Sequence, residues 1–397
     1  MKPLIISKEQ ARKIILHAGG LAKPGQFGKG KEAVYKVIEH LGFVQIDTIA
    51  VVERAHHHAL ASRVADYDHD WLQELQTEGR IFEFWTYASG FIPMKNFRFS
   101  LPVKESFSSR RKALTQTEIN LMNKILDRIS REGPLRSRDF ENDRVTKSSG
   151  WWDWRPSKVA LERLHLDGRL VSIRRKDFQK LYDLGENAIP SDVDQTIPDD
   201  AEFARHIILR VLKAHGIASM KEIAYSSRHA KNTAKTEIDK LIVSGEVYNV
   251  AVDGLKSSPL YMLAEYRNKK IKLSDSVFIL SPFDILNVFR HRLKWFFDFD
   301  YQVECFVPAS KRKYGYFSLP ILAGDAFIGR MDCKADRKQR HLIVNNLHLE
   351  SKTIDSTLLK KLSEAIKTFA TFNSCDRIAI KKSNAPTFLK ALRKILP

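Results

Sequence analysis

The amino-acid sequence predicts an α+β protein in which tandem winged helix-turn-helix domains are followed by a C-terminal β-rich, barrel-like domain. A series of three helices and a two-stranded hairpin occurs twice between residues 116 and 270, which is the element order of a winged helix. After Val277 the apolar residues alternate, as they do in strands. A chain of 397 residues is also too long for one core of ordinary size, so several packed domains are expected.

The N-terminal region, residues 1–115, is predicted to be mostly helical. Ser7 has the position of an N-cap, and apolar residues follow at helical spacing as far as Gly19. A second helix ends before residues 43–48, which lead into a third helix predicted over residues 48–62. We interpret this region as a candidate third, divergent copy of the winged-helix unit.

The second and third units, residues 116–195 and 196–270, have the same predicted order of elements. Each ends in a hairpin, over residues 170–184 in the second unit and 247–263 in the third. This self-similarity favours a duplicated unit. The two copies align with similar spacing at four pairs of positions: Leu164 and Leu241, Gly168 and Gly245, Tyr182 and Tyr261, and Leu184 and Leu263.

The C-terminal region, residues 271–397, is predicted to be β-rich. A turn is expected at Gly324-Asp325. Apolar residues between Leu358 and Phe369 recur at helical spacing, so a helix is expected to cover one face of the sheet. The predicted strands cover residues 314–322, 326–334, 341–349 and 377–380.

The charge balance indicates a polyanionic partner. The chain has 66 Lys and Arg residues against 47 Asp and Glu residues, a net charge of +19 and an isoelectric point near 9.7, which favours binding of nucleic acid. No apolar run approaches the roughly 20 residues that a membrane span needs, and the N-terminus lacks the apolar stretch of a secretory signal. Three widely spaced cysteines indicate no disulfide framework, so a cytoplasmic location is expected.

The predicted wing tip of the second unit contains three consecutive basic residues, Arg174, Arg175 and Lys176. A wing tip suits contacts with DNA phosphates, although a solvated turn would have the same composition. Trp151 and Trp152, in the same unit, are candidates for stacking on a base, with packing in the core as the alternative.

The sequence shows no pattern typical of a cofactor site. His56, His57 and His58 are consecutive, so on a helix they point in different directions, and no His-x-x-x-His or paired Cys accompanies them. No catalytic triad, Walker or Rossmann spacing is present. We therefore expect no metal, nucleotide or redox cofactor.

Gln45 and Asp47 are the candidate catalytic pair. On an extended segment, residues two apart lie on the same side, so an amide and a carboxylate can hold and deprotonate one water molecule. The alternative is structural, because Asp47 precedes the predicted helix over residues 48–62 and has the position of its N-cap. Spacing alone leaves both interpretations open.

Four stretches of the sequence, in order along nearly the whole chain, contain recognisable motifs. Two are distinctive, the Gly-Trp-Trp block at residues 150–156 and the Lys-Arg-x-Tyr-Gly-Tyr block at residues 311–316. Together the stretches resemble the YcaQ/AlkZ-type winged-helix DNA glycosylases. They cover residues 43–67, 150–184, 280–284 and 301–332.

The resemblance implies three tandem winged helices and a C-terminal β-barrel. It also implies excision of guanine alkylated on ring nitrogen 7, including the unhooking of interstrand crosslinks. Gln45 and Asp47 match the Gln-x-Asp pair at the catalytic position of the YcaQ (AlkX) branch. Lys311, Arg312 and Tyr314 of the Lys-Arg block are then candidate DNA contacts.

The chain departs from the family pattern at one place. Members often have Trp-Ala-His-Glu where this chain has Trp85-Thr86-Tyr87-Ala88. The role of that His does not transfer, and Tyr87 is instead a candidate lesion contact that stacks or donates a hydrogen bond.

The chemistry of the implied substrate agrees with a sparse site. An N7-alkylated guanine carries a positive charge and leaves readily, so the enzyme needs a placed water and nearby negative charge rather than a strong general acid. We expect a monofunctional base-excision repair enzyme acting as a monomer on double-stranded DNA with alkylated or crosslinked bases. The alternative is a non-catalytic winged-helix transcriptional regulator, which commonly needs a dimer.

Overall fold

The computed structural model describes residues 2–109, 114–140, 154–176, 178–226, 232–255, 259–350 and 355–396. These residues form a mixture of helices and four β-sheets, which confirms the predicted α+β class. In the described part of the chain, no helix is both long and apolar enough to cross a membrane.

The N-terminal region is mostly helical, as predicted. Ser7 caps the first helix by accepting a hydrogen bond from the backbone N–H of Gln10 at 3.0 Å, and Gly42 ends the second helix in the left-handed conformation. The elements of the region are β1 (Leu4–Ile6), α1 (Lys8–Ala18), α2 (Lys31–Leu41), β2 (Val44–Gln45), α3 (Ala55–Ala61), α4 (His69–Thr77), β3 (Ile81–Trp85), β4 (Ser89–Pro93) and α5 (Leu101–Ser109). Strands β2, β3 and β4 form one sheet in the order β2-β4-β3.

The helix predicted over residues 48–62 is wrong in its first half, since α3 begins only at Ala55. Residues 46–54, which we call the bridging segment, contain no helix and connect two cores. Ile46 packs in the N-terminal core, whereas Val52 packs in the core of the C-terminal sheet.

Two backbone hydrogen bonds tie the bridging segment to the C-terminal region. The carbonyl oxygen of Val51 accepts from the backbone N–H of Ala335 at 2.9 Å. The backbone N–H of Glu53 donates to the side-chain oxygen of Asn373 at 2.7 Å. These long-range contacts override the local helical pattern.

In the described residues of the second unit, two α-helices precede the hairpin, and the predicted short middle helix at Ser137 is a 3-10 turn, Ser137–Asp139. Thr115 and Glu118 form a capping box at the start of its first helix. The elements are α6 (Gln116–Glu132), β5 (Leu135–Arg136), α7 (Pro156–Leu166), β6 (Leu170–Lys176), β7 (Gln179–Leu184) and α8 (Gly185–Ala188), with the strands in the order β5-β7-β6.

The third unit repeats a helical part and a hairpin. The elements are α9 (Asp200–His215), β8 (Ile217–Ser219), α10 (Met220–Ser226), α11 (Ala234–Val243), β9 (Val247–Val252) and β10 (Leu260–Leu263). Its sheet has the strand order β1-β9-β10-β8 and so includes the N-terminal strand β1. Leu4 to Ile6 pair in parallel with Val250 to Val252. The sequence pattern did not predict this pairing.

The C-terminal region is built on a five-stranded sheet that curls as a half-barrel. Its elements are β11 (Val277–Ile279), α12 (Ile285–Val288), α13 (Arg290–Phe297), β12 (Ser318–Ala323), β13 (Ala326–Asp336), β14 (His341–Leu349), α14 (Ser356–Phe372), β15 (Arg377–Ile380) and α15 (Pro386–Ile395), with the strands in chain order across the sheet. The predicted strand at residues 314–322 begins only at Ser318, because the backbone N–H groups of Tyr314 and Gly315 bind the carboxylate of Glu304 instead of a neighbouring strand.

Candidate active site

Gln45 and Asp47 lie where strand β2 passes into the bridging segment. Gln45 pairs with Gly90 of β4, and the backbone N–H of Ile46 donates to the carbonyl oxygen of Ser89 at 2.8 Å. Ile46 is buried, whereas Gln45 and Asp47 on either side of it remain partly accessible. The extended backbone therefore presents the amide and the carboxylate on the same side, away from the core.

Asp47 does not cap a helix, since α3 begins eight residues later. Its Oδ1 accepts a hydrogen bond from the backbone N–H of Ile49 at 2.7 Å, which forms a local Asx-type turn. Burial raises the pKa of the Asp47 carboxyl group, and the backbone N–H groups of Ile49 and Thr48 oppose that rise. A carboxylate with a raised pKa is a stronger base than an exposed one.

The hairpin of β3 and β4 forms one wall beside the pair. Trp85, at the end of β3, is 47% exposed. Tyr87 packs against the rings of Phe43 and Tyr225, with centroid distances of 4.7 and 5.4 Å. Burial raises the pKa of the Tyr87 phenol, so it stays neutral and able to donate a hydrogen bond.

Gly90 allows β2 to approach this hairpin closely. A Cβ atom at position 90 would lie 2.3 Å from the ring of Phe43, which is far inside van der Waals contact. The sheet that holds Gln45 therefore depends on a glycine at this position.

A buried ion pair joins the hairpin to the second unit. Glu83 of β3 is fully buried and accepts two hydrogen bonds from the guanidinium of Arg175, at 2.9 and 2.6 Å. Burial works against the charged form, but the charges of Arg175 and Lys180 hold the pKa of Glu83 far below its usual value. The hydroxyl of Ser89 donates to Glu83 at 3.1 Å, so the network ends at the residue that binds Ile46.

This geometry corrects the predicted role of Arg175. Its guanidinium binds Glu83 and the carbonyl oxygen of Phe178, the latter at 2.8 Å, and is occupied inside the protein. Arg174, one residue earlier, is exposed. Lys176 ends strand β6, and its side chain lies outside the described part of the structure, as do Trp151 and Trp152.

The three candidates of the Lys-Arg block differ in accessibility. Lys311 is exposed. Arg312 donates to the carbonyl oxygen of Val307 at 2.8 Å and lies 4.9 Å from the ring centroid of Tyr316. The ring of Tyr314 packs under the guanidinium of Arg330 at 4.0 Å, so much of its surface contacts protein.

The loop between α13 and β12, residues 298–317, approaches the bridging segment. Cys305 of this loop and Ile49 pack against the same C-terminal core. Burial raises the pKa of the Cys305 thiol, and the charge of Asp47 raises it further. The sequence analysis did not single out Phe306, which is exposed on this loop, because nothing in its local pattern distinguishes it from other aromatic residues.

The three consecutive histidines face different neighbours. The ring of His57 shares a 2.7 Å hydrogen bond with the hydroxyl of Tyr67, and His58 lies 2.8 Å from the carbonyl oxygen of Ile279. Burial lowers the pKa of His56 to about 3 and that of His58 to about 4, so both are neutral. No group of three His, Cys, Asp or Glu side chains among the described residues could hold a metal ion.

Comparison with known proteins defines the class. A family model described as DNA glycosylase AlkZ-like matches residues 38–372, so the chain belongs to the AlkZ-like family and is a DNA glycosylase. Among solved structures, it is similar to the Streptomyces sahachiroi DNA glycosylase AlkZ, with a TM-score of 0.64 and 16% identity over 95% of this chain and 100% of that chain. At this identity the similarity shows a shared fold.

Proposed function

We propose that this glycosylase hydrolyses the N-glycosidic bond of guanine alkylated on ring nitrogen 7, including guanines joined in interstrand crosslinks. The observation that supports this best is the placement of Gln45 and Asp47. They stand side by side on an extended, partly accessible segment, and the carboxyl group has a raised pKa.

The two side chains have different tasks in this mechanism. Asp47 deprotonates a water molecule, and its charge stabilises the oxocarbenium-like sugar as the bond to the base breaks. Gln45 orients the water toward the anomeric carbon. The cationic guanine leaves as a neutral base, so no general acid is required.

An accessible pair also suits bulky substrates. A deep pocket would require the alkylated base to flip fully out of the duplex, which a crosslinked base cannot do. Gln45 and Asp47 instead lie at the surface end of a small sheet. We propose that the duplex is held there by phosphate contacts from Arg174, Lys311 and Arg312, with Trp151 and Trp152 as further contacts.

The proposal is tested with duplex DNA containing one N7-methylguanine. Purified protein should release the base and leave an alkali-labile abasic site, and a duplex with one N7-linked crosslink should yield separated strands on a denaturing gel. A regulator would bind both duplexes and change neither. Failure to release N7-methylguanine would overturn the assigned substrate.

Asp194 offers a matched control for Asp47. Its carboxylate accepts from the backbone N–H of Thr196, two residues later, at 2.8 Å, which is the same local turn. Asp194→Asn should excise at the wild-type rate, whereas Asp47→Asn should be slow.

A further inference from the structure

Phe306 is an exposed aromatic side chain on a fixed loop. Its side chain is 78% exposed, more than any other aromatic side chain that the structure describes. The residue stands in the loop of residues 298–317, directly after Cys305.

The loop around Phe306 is held by hydrogen bonds on both sides. The carboxylate of Glu304 accepts from the backbone N–H groups of Lys313, Tyr314 and Gly315 at 2.8, 2.7 and 3.0 Å. The backbone N–H of Val307 donates to the carbonyl oxygen of Glu304 at 3.0 Å. A loop anchored in this way presents the ring in a defined position, at small entropic cost when a partner binds.

The residue before Phe306 packs on the same core as the bridging segment. Cys305, its neighbour, packs on the same core as Ile49, which donates a hydrogen bond to Asp47. The charge of Asp47 also acts on the Cys305 thiol. Phe306 therefore directly follows a residue that packs on the same core as the segment carrying Asp47.

The surroundings of Phe306 suit a nucleic acid. Lys311 and Lys313 are exposed further along the same loop, Arg290 is exposed at the start of α13, and Tyr316 is partly exposed under the guanidinium of Arg312. Cations can neutralise phosphates, and an aromatic ring between them can stack on a base of any sequence.

We propose that Phe306 inserts into the duplex at the lesion and stacks on the base next to the alkylated guanine. The insertion separates the two stacked bases and opens the sugar-phosphate backbone beside the lesion, so that the anomeric carbon can face Asp47. This role rests on the proposed function, because it assigns Phe306 to the same DNA site.

The test places 2-aminopurine next to N7-methylguanine, because the fluorescence of this base rises when its stacking is lost. To prevent excision, the measurement uses Asp47→Asn with and without Phe306→Ala, at saturating protein. A second duplex carries a tetrahydrofuran abasic analogue in place of the lesion. The Phe306-containing protein should raise the fluorescence on both duplexes, and Phe306→Ala should remove at least half of the rise.

Excision is then measured in the otherwise wild-type protein. Phe306→Ala should slow single-turnover excision about tenfold or more, Phe306→Trp should retain most of the rate, and melting temperatures should not change because the side chain is exposed. Ile197→Ala, at a position that is 63% exposed and outside the 298–317 loop, is the control and should match wild type.

The outcomes separate this inference from the proposed function. Phe306-dependent fluorescence without excision of N7-methylguanine would support insertion and overturn the substrate. Excision at the wild-type rate by Phe306→Ala, or equal fluorescence with and without the ring in fully bound complexes, would overturn insertion.

Discussion

Arg63 and Asp284 form a bidentate ion pair in which both side chains are fully buried, with nitrogen-to-oxygen distances of 2.7 and 2.9 Å. Arg63 follows α3, and Asp284 caps α12 of the C-terminal region. Arg63 also donates to the carbonyl oxygens of Gly19 and Ala59 at 2.7 and 2.8 Å. The pair fixes α3, and with it the end of the bridging segment, relative to the C-terminal sheet.

Asp284→Asn should strongly destabilise the protein. The substitution leaves the Arg63 guanidinium buried without its carboxylate, a change that typically costs about 3–5 kcal/mol. Chemical denaturation measures the free energy of unfolding. Asp298→Asn is the control, because the Lys8–Asp298 pair is exposed and such pairs contribute roughly 0–1 kcal/mol. Equal losses in the two variants would contradict the importance assigned to the buried pair.

Asp47→Asn should slow excision by about 10²–10⁴-fold, the usual contribution of a general base. The Asn side chain still accepts from Ile49, so the local turn is kept. Gln45→Ala should also be slow. DNA affinity and melting temperature should change little in either variant. Single-turnover excision by Asp47→Asn within threefold of wild type would remove Asp47 as the base.

The pH dependence of excision should follow the Asp47 carboxyl group. The base acts in its deprotonated form, so the rate should rise with pH through the Asp47 pKa, which burial moves above the value of about 3.9 for an exposed Asp. Single-turnover rates across the acidic range measure this rise, with folding checked by circular dichroism at each pH. If the excision rate of Asp47→Asn rose with pH in the same way, the titrating group would be a residue other than Asp47.

As the pH rises through the Asp47 pKa, excision should become faster, whereas the contribution of Asp47 to folding stability should become smaller. A carboxyl group whose pKa is raised by folding stabilises the fold at low pH, and this contribution is lost as the pH rises through the folded pKa. Asp47→Asn should therefore be no less stable than wild type at neutral pH. A clear drop in its melting temperature would show that the Asp47 charge supports the fold.

Arg174→Ala and Arg175→Ala should differ although the residues are adjacent. Exposed Arg174 contacts one phosphate in our proposal. Its removal should therefore make the negative slope of log affinity against log salt less steep by about 0.9. The melting temperature should not change. Arg175→Ala should lower the melting temperature, because buried Glu83 loses both hydrogen bonds from the guanidinium. A reversed pattern, measured by fluorescence anisotropy and thermal melting, would contradict the structure of this wing.

Excision should persist in EDTA and without added ATP. No metal-binding group occurs among the described residues, and the proposed mechanism uses only side chains and water. The assay is abasic-site formation after dialysis against EDTA. Loss of activity that Zn²⁺ or Mg²⁺ restores would contradict this mechanism.

Local signals in the sequence predicted the ends of helices well. Ser7 and Gly42 act through their own side chain or backbone conformation, so their capping roles need no distant partner. The bridging segment could not be predicted, because Ala335 and Asn373 hold it from far along the chain. Within residues 48–62, a helix forms only over Ala55–Ala61, beyond the residues that Ala335 and Asn373 hold.

The relative placement of the candidate pair could be predicted for the same reason. Gln45 and Asp47 are two residues apart, and their common side follows from an extended backbone. The roles of Arg174 and Arg175 depend on a β-bulge between Ser172 and Arg174, which shifts the alternation so that Arg175 reaches Glu83. A bulge leaves no clear mark in the sequence, and neither does the approach of the loop with Phe306.

The bridging segment is attached to Ala335 and Asn373, which are synthesised long after the segment itself. A growing polypeptide on the ribosome contains Gln45 and Asp47 early, but it lacks both anchors until nearly the whole chain has been translated. Products of premature termination before residue 335 would contain Gln45 and Asp47 without the contacts that hold the bridging segment. Under the proposed mechanism, we expect such unfinished chains to excise bases poorly.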